Sequence, residues 1–226
     1  MRGFVLSLIF VFSFLGSLQA QDELVEDASI WLGLNVEKKL SSKMSLSFSN
    51  QARYDRNITR YRLGYQDLGL DYKVLKFLHV QADYKLIHRQ RQDESFSIRH
   101  QYNLSFILKK DFGPWSVSFK NRWQCFYRDI YSSEDGKQPI WTNRNKLTVK
   151  YELNKRIQFY TSGELNYILK PIQDEGLDRF RTSLGLEYKL TKNSGLELFY
   201  TMQRELDLSK EINRFHIYGL TYQIKI

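Results

Sequence analysis

The 226-residue sequence predicts an all-β fold, an up-and-down antiparallel transmembrane β-barrel of 10–12 strands, and three observations carry that expectation. Apolar and polar residues alternate with a period of two along nearly the whole chain after residue 20, which is the strand period. Connections alternate between short and long, as they do at the two ends of an up-and-down barrel. The first twenty residues have the pattern of an export signal.

That opening stretch, "MRGFVLSLIFVFSFLGSLQA", has a basic residue at Arg2, an apolar run from Phe4 to Leu15 and a small residue at Ala20. It predicts a cleaved signal peptide over 1–20 and a single barrel domain over 21–226. A transmembrane anchor fits less well, because the apolar run is short and the flank is acidic at Asp22, Glu23, Glu26 and Asp27. No later apolar run approaches about 18 residues, which excludes a helical membrane protein. Cys125 is the sole cysteine, so no internal disulfide forms. The net charge of +9 falls by one when Arg2 leaves with the signal. An exported chain seldom meets nucleic acid, so the expected partners are membrane lipids, lipopolysaccharide phosphates or a small anionic solute.

Strand by strand, the apolar face runs Ile30, Leu32, Leu34 and Val36; Met44, Leu46 and Phe48; Leu68, Leu70 and Tyr72; Leu78 to Leu86; and Tyr102 to Leu108. It continues through Trp115, Val117 and Phe119; Leu147, Val149 and Tyr151; Ile157 and Phe159, then Leu165 to Leu169; Leu196 to Met202; and Tyr218 to Ile224. The sharpest case is "DRFRTSLGLEYKL" (178–190), with Phe180, Leu184, Leu186 and Tyr188 on one face and Arg179, Arg181, Glu187 and Lys189 on the other. These segments number 11. Bacterial single-chain barrels normally have an even number, so either 28–38 is not a full wall strand, leaving 10, or a further short segment makes 12. Pro114, Pro139 and Pro171 all fall in connections, as expected where strands pair on both edges. The chain closes on "YGLTYQIKI" (218–226), inside a strand pattern; such a strand is expected to close the wall and to be recognised by the outer-membrane assembly machinery.

The polar faces mix small and hydroxyl residues, such as Ser45, Ser47 and Ser49, with both signs of charge. Small residues and compensating charges suit a crowded barrel interior. The expected lumen and solute path comprises Arg53, Asp83, Lys85, Arg89, Arg122, Arg144, Lys150, Glu164, Arg181 and Glu187. Tyr72, Tyr151, Tyr188 and Tyr222 near the short turns, with Phe126, Tyr127 and Trp141 near the longer loops, are expected to form two aromatic belts around a lipid-facing band. Each strand after a long loop opens with an arginine and a second basic or polar residue two places on: Arg60 and Arg62, Arg99 and Gln101, Arg144 and Lys146, Arg179 and Arg181, Arg214 and His216. Long cationic side chains near a membrane interface keep their charge in water or meet lipid phosphates. Arg60, Arg99, Arg179 and Arg214 are therefore expected at a rim touching lipid or lipopolysaccharide.

The stretch "IWLGLNVEKKLSSKMSLSFSNQARYDR" (30–56), the arginine-led strands ending in Tyr-Lys-Leu, and the terminal "YGLTYQIKI" together resemble the outer-membrane β-barrel proteins grouped as domain of unknown function 2490. The resemblance covers the mature chain. It implies a barrel in the outer membrane of a Gram-negative bacterium, and no catalytic residue.

Motifs of catalysis are absent from the sequence. The four histidines, His79, His88, His100 and His216, form no HExxH, there is no CxxC and no GxSxG, and neither metal nor cofactor is expected. One enzymatic alternative is a hydrolase whose acid-base group combines His88, Asp93, Glu94 and His100 around one outer loop. A soluble periplasmic binding barrel is another. The reading carried forward is a non-enzymatic barrel with a charged lumen, either a narrow pore for small hydrophilic, anionic solutes or a closed structural barrel in contact with lipid.

Overall fold

The computed structural model describes residues 26–91, 93–128, 135–170, 176–206 and 214–226. The expected signal over 1–20 lies outside them, as do Pro171 and parts of the longer loops. The strands are β1 (Glu26–Lys39), β2 (Met44–Asp55), β3 (Arg60–Lys73), β4 (Leu78–Gln90), β5 (Phe96–Phe112), β6 (Trp115–Tyr127), β7 (Ile140–Glu152), β8 (Ile157–Lys170), β9 (Gly176–Lys189), β10 (Ser194–Glu205) and β11 (Arg214–Lys225). Each pairs antiparallel with its neighbour in sequence, and β1 pairs in parallel with β11 to close the barrel.

The wall therefore has 11 strands, within the expected 10–12, and 28–38 is part of a full wall strand, so the odd count stands without adjustment to 10 or 12. Parity is restored by the parallel seam, where Glu26 lies opposite Arg214 and Glu37 opposite Lys225. β1 enters from the long-loop end, and its start is fastened there: both carboxylate oxygens of Asp27 accept from the turn between β2 and β3, taking Arg56 N at 2.9 Å and Asn57 N at 2.7 Å. At the short-turn end Lys39 N donates to Ile226 O at 3.1 Å, and Ile226 N donates to Glu37 O at 2.8 Å.

A closed sheet must stagger its strands. The partners of Ser97 on β5 run through Arg89, Leu63, Arg53, Trp31, Gly219, Phe199, Gly185, Tyr160, Lys150 and Ser116 and return to β5 at Asp111, fourteen residues further on. Along this row the side chains point into the lumen.

Burial is inverted relative to a water-soluble fold. Among the described residues only Ile140, Phe215 and Ile217 are buried hydrophobics, whereas fifteen polar or charged residues are buried, among them Asp83, Asn103, Ser105, Gln124 and Glu164. Large apolar side chains stand outward, with Leu184 58% exposed and Leu68 51%. Aromatic groups bracket them: Trp115 packs on Tyr151 at the short-turn end, with ring centroids 4.7 Å apart, and Tyr54, Tyr61 and Phe96 form a chain at the other. Phe126, expected in the outer belt, instead faces the lumen, because it shares parity with Gln124 and Arg122.

The outward apolar pattern breaks at the opposed Asn50 and Gln66 on β2 and β3, and more extensively on β6 and β7. Asn121, Asn143 and Asn145 stand outward near mid-strand on β6 and β7, the face carrying Phe119, Trp123 and Leu147. Asn121 Nδ2 donates to Asn145 Oδ1 at 2.8 Å and to Asn143 Oδ1 at 3.2 Å, and Asn145 Nδ2 donates to Asn143 Oδ1 at 2.7 Å. The three amides satisfy one another, which is how polar side chains are tolerated beside hydrocarbon.

Candidate functional site

Alternation sends one residue in two inward, and the inward set encloses a cavity of about 1390 Å³. Its wall extends from Arg56, Arg60, Arg91 and Arg128 at the long-loop mouth to Asn35, Ser47, Gln81, Tyr160 and Glu197. Nearer the short turns, polar contacts knit the wall: a hydrogen bond between His79 Nδ1 and Asp71 Oδ1 at 2.9 Å and an ion pair from Lys150 Nζ to Glu187 Oε1 at 2.6 Å.

Long inward side chains reach over a small residue on the next strand to a partner two strands away. Arg122 on β6 passes Ser105 on β5, donating to its Oγ at 2.9 Å, and meets Asp83 Oδ1 on β4 at 3.4 Å. Tyr160 on β8 lies over Gly185 on β9 and donates to Glu197 Oε1 on β10 at 2.6 Å. Phe199 on β10 lies over Gly219 on β11 and packs edge-on against Trp31 on β1.

Of the residues expected in the lumen, Arg53, Lys85, Arg89, Arg122, Arg144, Glu164 and Arg181 lie on the cavity wall. Arg53 sits 3.6 Å from the Trp31 ring centroid, a cation–π stack. Lys85 pairs with Asp67 at 3.0 Å. Glu164 is held from two sides, by Arg144 Nη2 at 2.6 and 2.7 Å from its oxygens and by Arg181 Nη1 at 3.0 Å. Asp83 is buried behind the wall and accepts from Asn103 and Arg122. Lys150 and Glu187 form their pair nearer the short turns. Arg89 and Arg99 face inward with no ion pair among the described residues.

The rim expectation is corrected for three of its four residues. Arg60, Arg99 and Arg179 line the cavity, since Tyr61, Ile98 and Phe180 take the outward positions beside them. Arg179 lies near Asp178 and Glu205, at 3.2 and 3.4 Å. Arg214 faces outward and pairs with Glu26 at 2.6 Å across the seam. The enzymatic alternative is not assembled. His88 and His100 face outward, with Tyr84 OH 2.7 Å from His100 Nδ1. The Asp93 carboxylate caps its own turn through Ser95, whose hydroxyl and amide hold it below the usual carboxylate range. Among the described residues no three His, Cys, Asp or Glu are grouped to hold a metal ion.

Sequence reasoning overlooked Trp31, Tyr65 and Phe199 in the lumen. The signal was present for Trp31, which has the opposite parity to Ile30 and Leu32.

Comparison with solved structures places the fold among outer-membrane barrels. The chain is similar to the NanC porin, at 11% identity and a TM-score of 0.51, over 83% of this chain and 94% of that one. Lower similarity is found to the beta domain of the Bordetella autotransporter Brka (11% identity, TM-score 0.45, 78% of this chain and 81% of that one). The anion-selective porin from Comamonas acidovorans gives 15% identity and a TM-score of 0.38, over 81% of this chain and 53% of that one. A comparison with curated proteins finds no match. A family model described as a protein of unknown function, DUF2490, matches residues 28–214, so the chain belongs to that family.

Proposed function

We propose that this chain is a porin-type barrel of the Gram-negative outer membrane whose lumen passes small hydrophilic anions. The observation that carries the reading is the charge of the cavity wall, where fourteen Lys and Arg face seven Asp and Glu. Low-dielectric walls focus the field of such an excess into the lumen and raise the local concentration of anions. The outward leucines and the two aromatic groups support membrane residence over a soluble binding barrel. Membrane lipids and lipopolysaccharide are then the outer partners, with Arg214 and the opposed Arg204 turned toward them at the long-loop rim, and β11 is the strand offered to the assembly machinery. The residues suggested for hydrolysis are separated between lipid face and loop, which supports a non-enzymatic role.

Arg89 and Arg99 make the cleanest test, because neither has an ion pair among the described residues. In planar bilayers under a KCl gradient, the wild type is expected to show discrete current steps with an anion-selective reversal potential. Arg89→Glu/Arg99→Glu is expected to shift that potential toward cations. Membrane-inserted protein that gives no steps would overturn the pore and leave the closed structural barrel.

A further inference from the structure

On the inner faces of β6 and β7, Lys120 stands directly opposite Lys146 and Arg122 directly opposite Arg144. Like charges facing each other across paired strands are destabilising unless something negative lies between them. Two carboxylates are at hand, and both are engaged. Asp83 is shared by Arg122 and Asn103. Glu164 is opposite Lys146 in the register, yet its oxygens are taken by Arg144 and Arg181. Lys120 Nζ donates to a neutral acceptor, Gln81 Oε1, at 2.7 Å. Lys146 lines the cavity, and its ammonium has no hydrogen bond or ion pair among the described residues. With Arg181, five cations face these two carboxylates, and the next nearest, Asp67 and Glu197, are engaged by Lys85 and by Tyr160 and Gln223, so positive charge is in excess in two successive rows.

We propose that Lys120, Arg122, Arg144 and Lys146 form a binding site for a compact oxyanion of the phosphate type, free or as the phosphoryl group of a small ester. Opposed residues are about 5 Å apart across the strands and successive inward residues about 7 Å apart along them; Lys120 and Arg122 lean toward β4 and Arg144 toward β8, and their flexible ends are within reach of one small group held between the two strands. A dianion with several oxygens takes charge-assisted hydrogen bonds from more than one of them, where chloride neutralises a single charge. The site deepens the reading of the lumen as an anion path by giving the anion a place to stop.

The test is calorimetric titration of the detergent-folded full chain with inorganic phosphate, then with glycerol 3-phosphate, at constant ionic strength set by chloride. Heat-modifiable gel mobility verifies the barrel in every variant. Phosphate binding is expected in the wild type and should weaken about tenfold in Lys146→Gln, a loss of about 1.4 kcal/mol. Lys120→Gln repeats the test with an independent variant. Arg62→Gln removes one cavity charge outside the quartet, where Arg62 lies 3.7 Å from Asp55, and is expected to stay within about twofold of wild type. Equal weakening by Arg62→Gln and Lys146→Gln would reduce the effect to general potential and overturn the site, as would a folded wild type that binds no phosphate. Binding of the ester as tightly as of phosphate identifies the phosphoryl group as the recognised element; binding of phosphate alone restricts the site to the free ion. Current recordings on the same preparation separate the two readings: a conducting barrel that binds no phosphate sinks the quartet alone, and a phosphate-binding barrel without conductance sinks the pore alone.

Discussion

Phe199 and Tyr160 show what the inward glycines do. A β-carbon at Gly219 would collide with the Phe199 ring, and one at Gly185 with the Tyr160 ring. Both rings need that flat surface to reach Trp31 and Glu197. Overpacking of this kind costs about 1–3 kcal/mol. Gly219→Ala is therefore expected to lower the urea midpoint, followed by tryptophan fluorescence in lipid vesicles. Gly163→Ala, whose β-carbon would meet nothing within 4 Å, should leave the midpoint unchanged; equal loss at both positions would contradict this account of the glycines. The small residues were legible in the sequence as the composition of an interior. The side chains that cross them were not, because each comes from the neighbouring strand and its target lies one strand further on, both set by register.

Strands β6 and β7 carry opposite lessons on their two faces. The inner face was readable from alternation alone, including Arg122 and Arg144. The outer pattern was interrupted between Phe119 and Leu147 because Asn121, Asn143 and Asn145 share the outward face there with Trp123 and Trp141. Asn143 is the acceptor for both other amides. Asn143→Leu leaves Asn121 its bond to Asn145 Oδ1 but takes the acceptor from Asn145 Nδ2 in an apolar surround, and an unsatisfied group there costs about 1–3 kcal/mol. Replacing all three asparagines with leucine removes donors and acceptor together and is expected to restore or exceed wild-type stability in the same urea assay; a triple variant less stable than Asn143→Leu would contradict it. The arginine repeat was misassigned for a different reason: Arg99 and Arg179 were judged by their nearness to loops, although the parity of Ile98 and Phe180 already turned them inward, whereas Arg60 is turned inward by the register irregularity between Tyr61 and Leu63, which alternation does not reveal. The parallel seam was beyond local reading, since alternation is the same whichever way a strand's neighbour runs.

At the scale of the whole molecule the chain is a barrel with its polar groups inside and its leucines outside. The proposed contact with lipid and the cation-rich lumen both depend on that inversion. The described residues contain no helix long and apolar enough to cross a membrane, so any crossing falls to the strands. Spin labels read the two faces directly. With Cys125 first replaced by serine, single cysteines at Leu68, Leu184, Ser49 and Thr148 would be labelled in vesicle-inserted protein, and relaxation by molecular oxygen compared with that by a water-soluble nickel complex. Labels at Leu68 and Leu184 are predicted to respond mainly to oxygen, and those at Ser49 and Thr148 to nickel. Nickel dominance at all four sites would make the apolar face a water-exposed surface and contradict the membrane barrel.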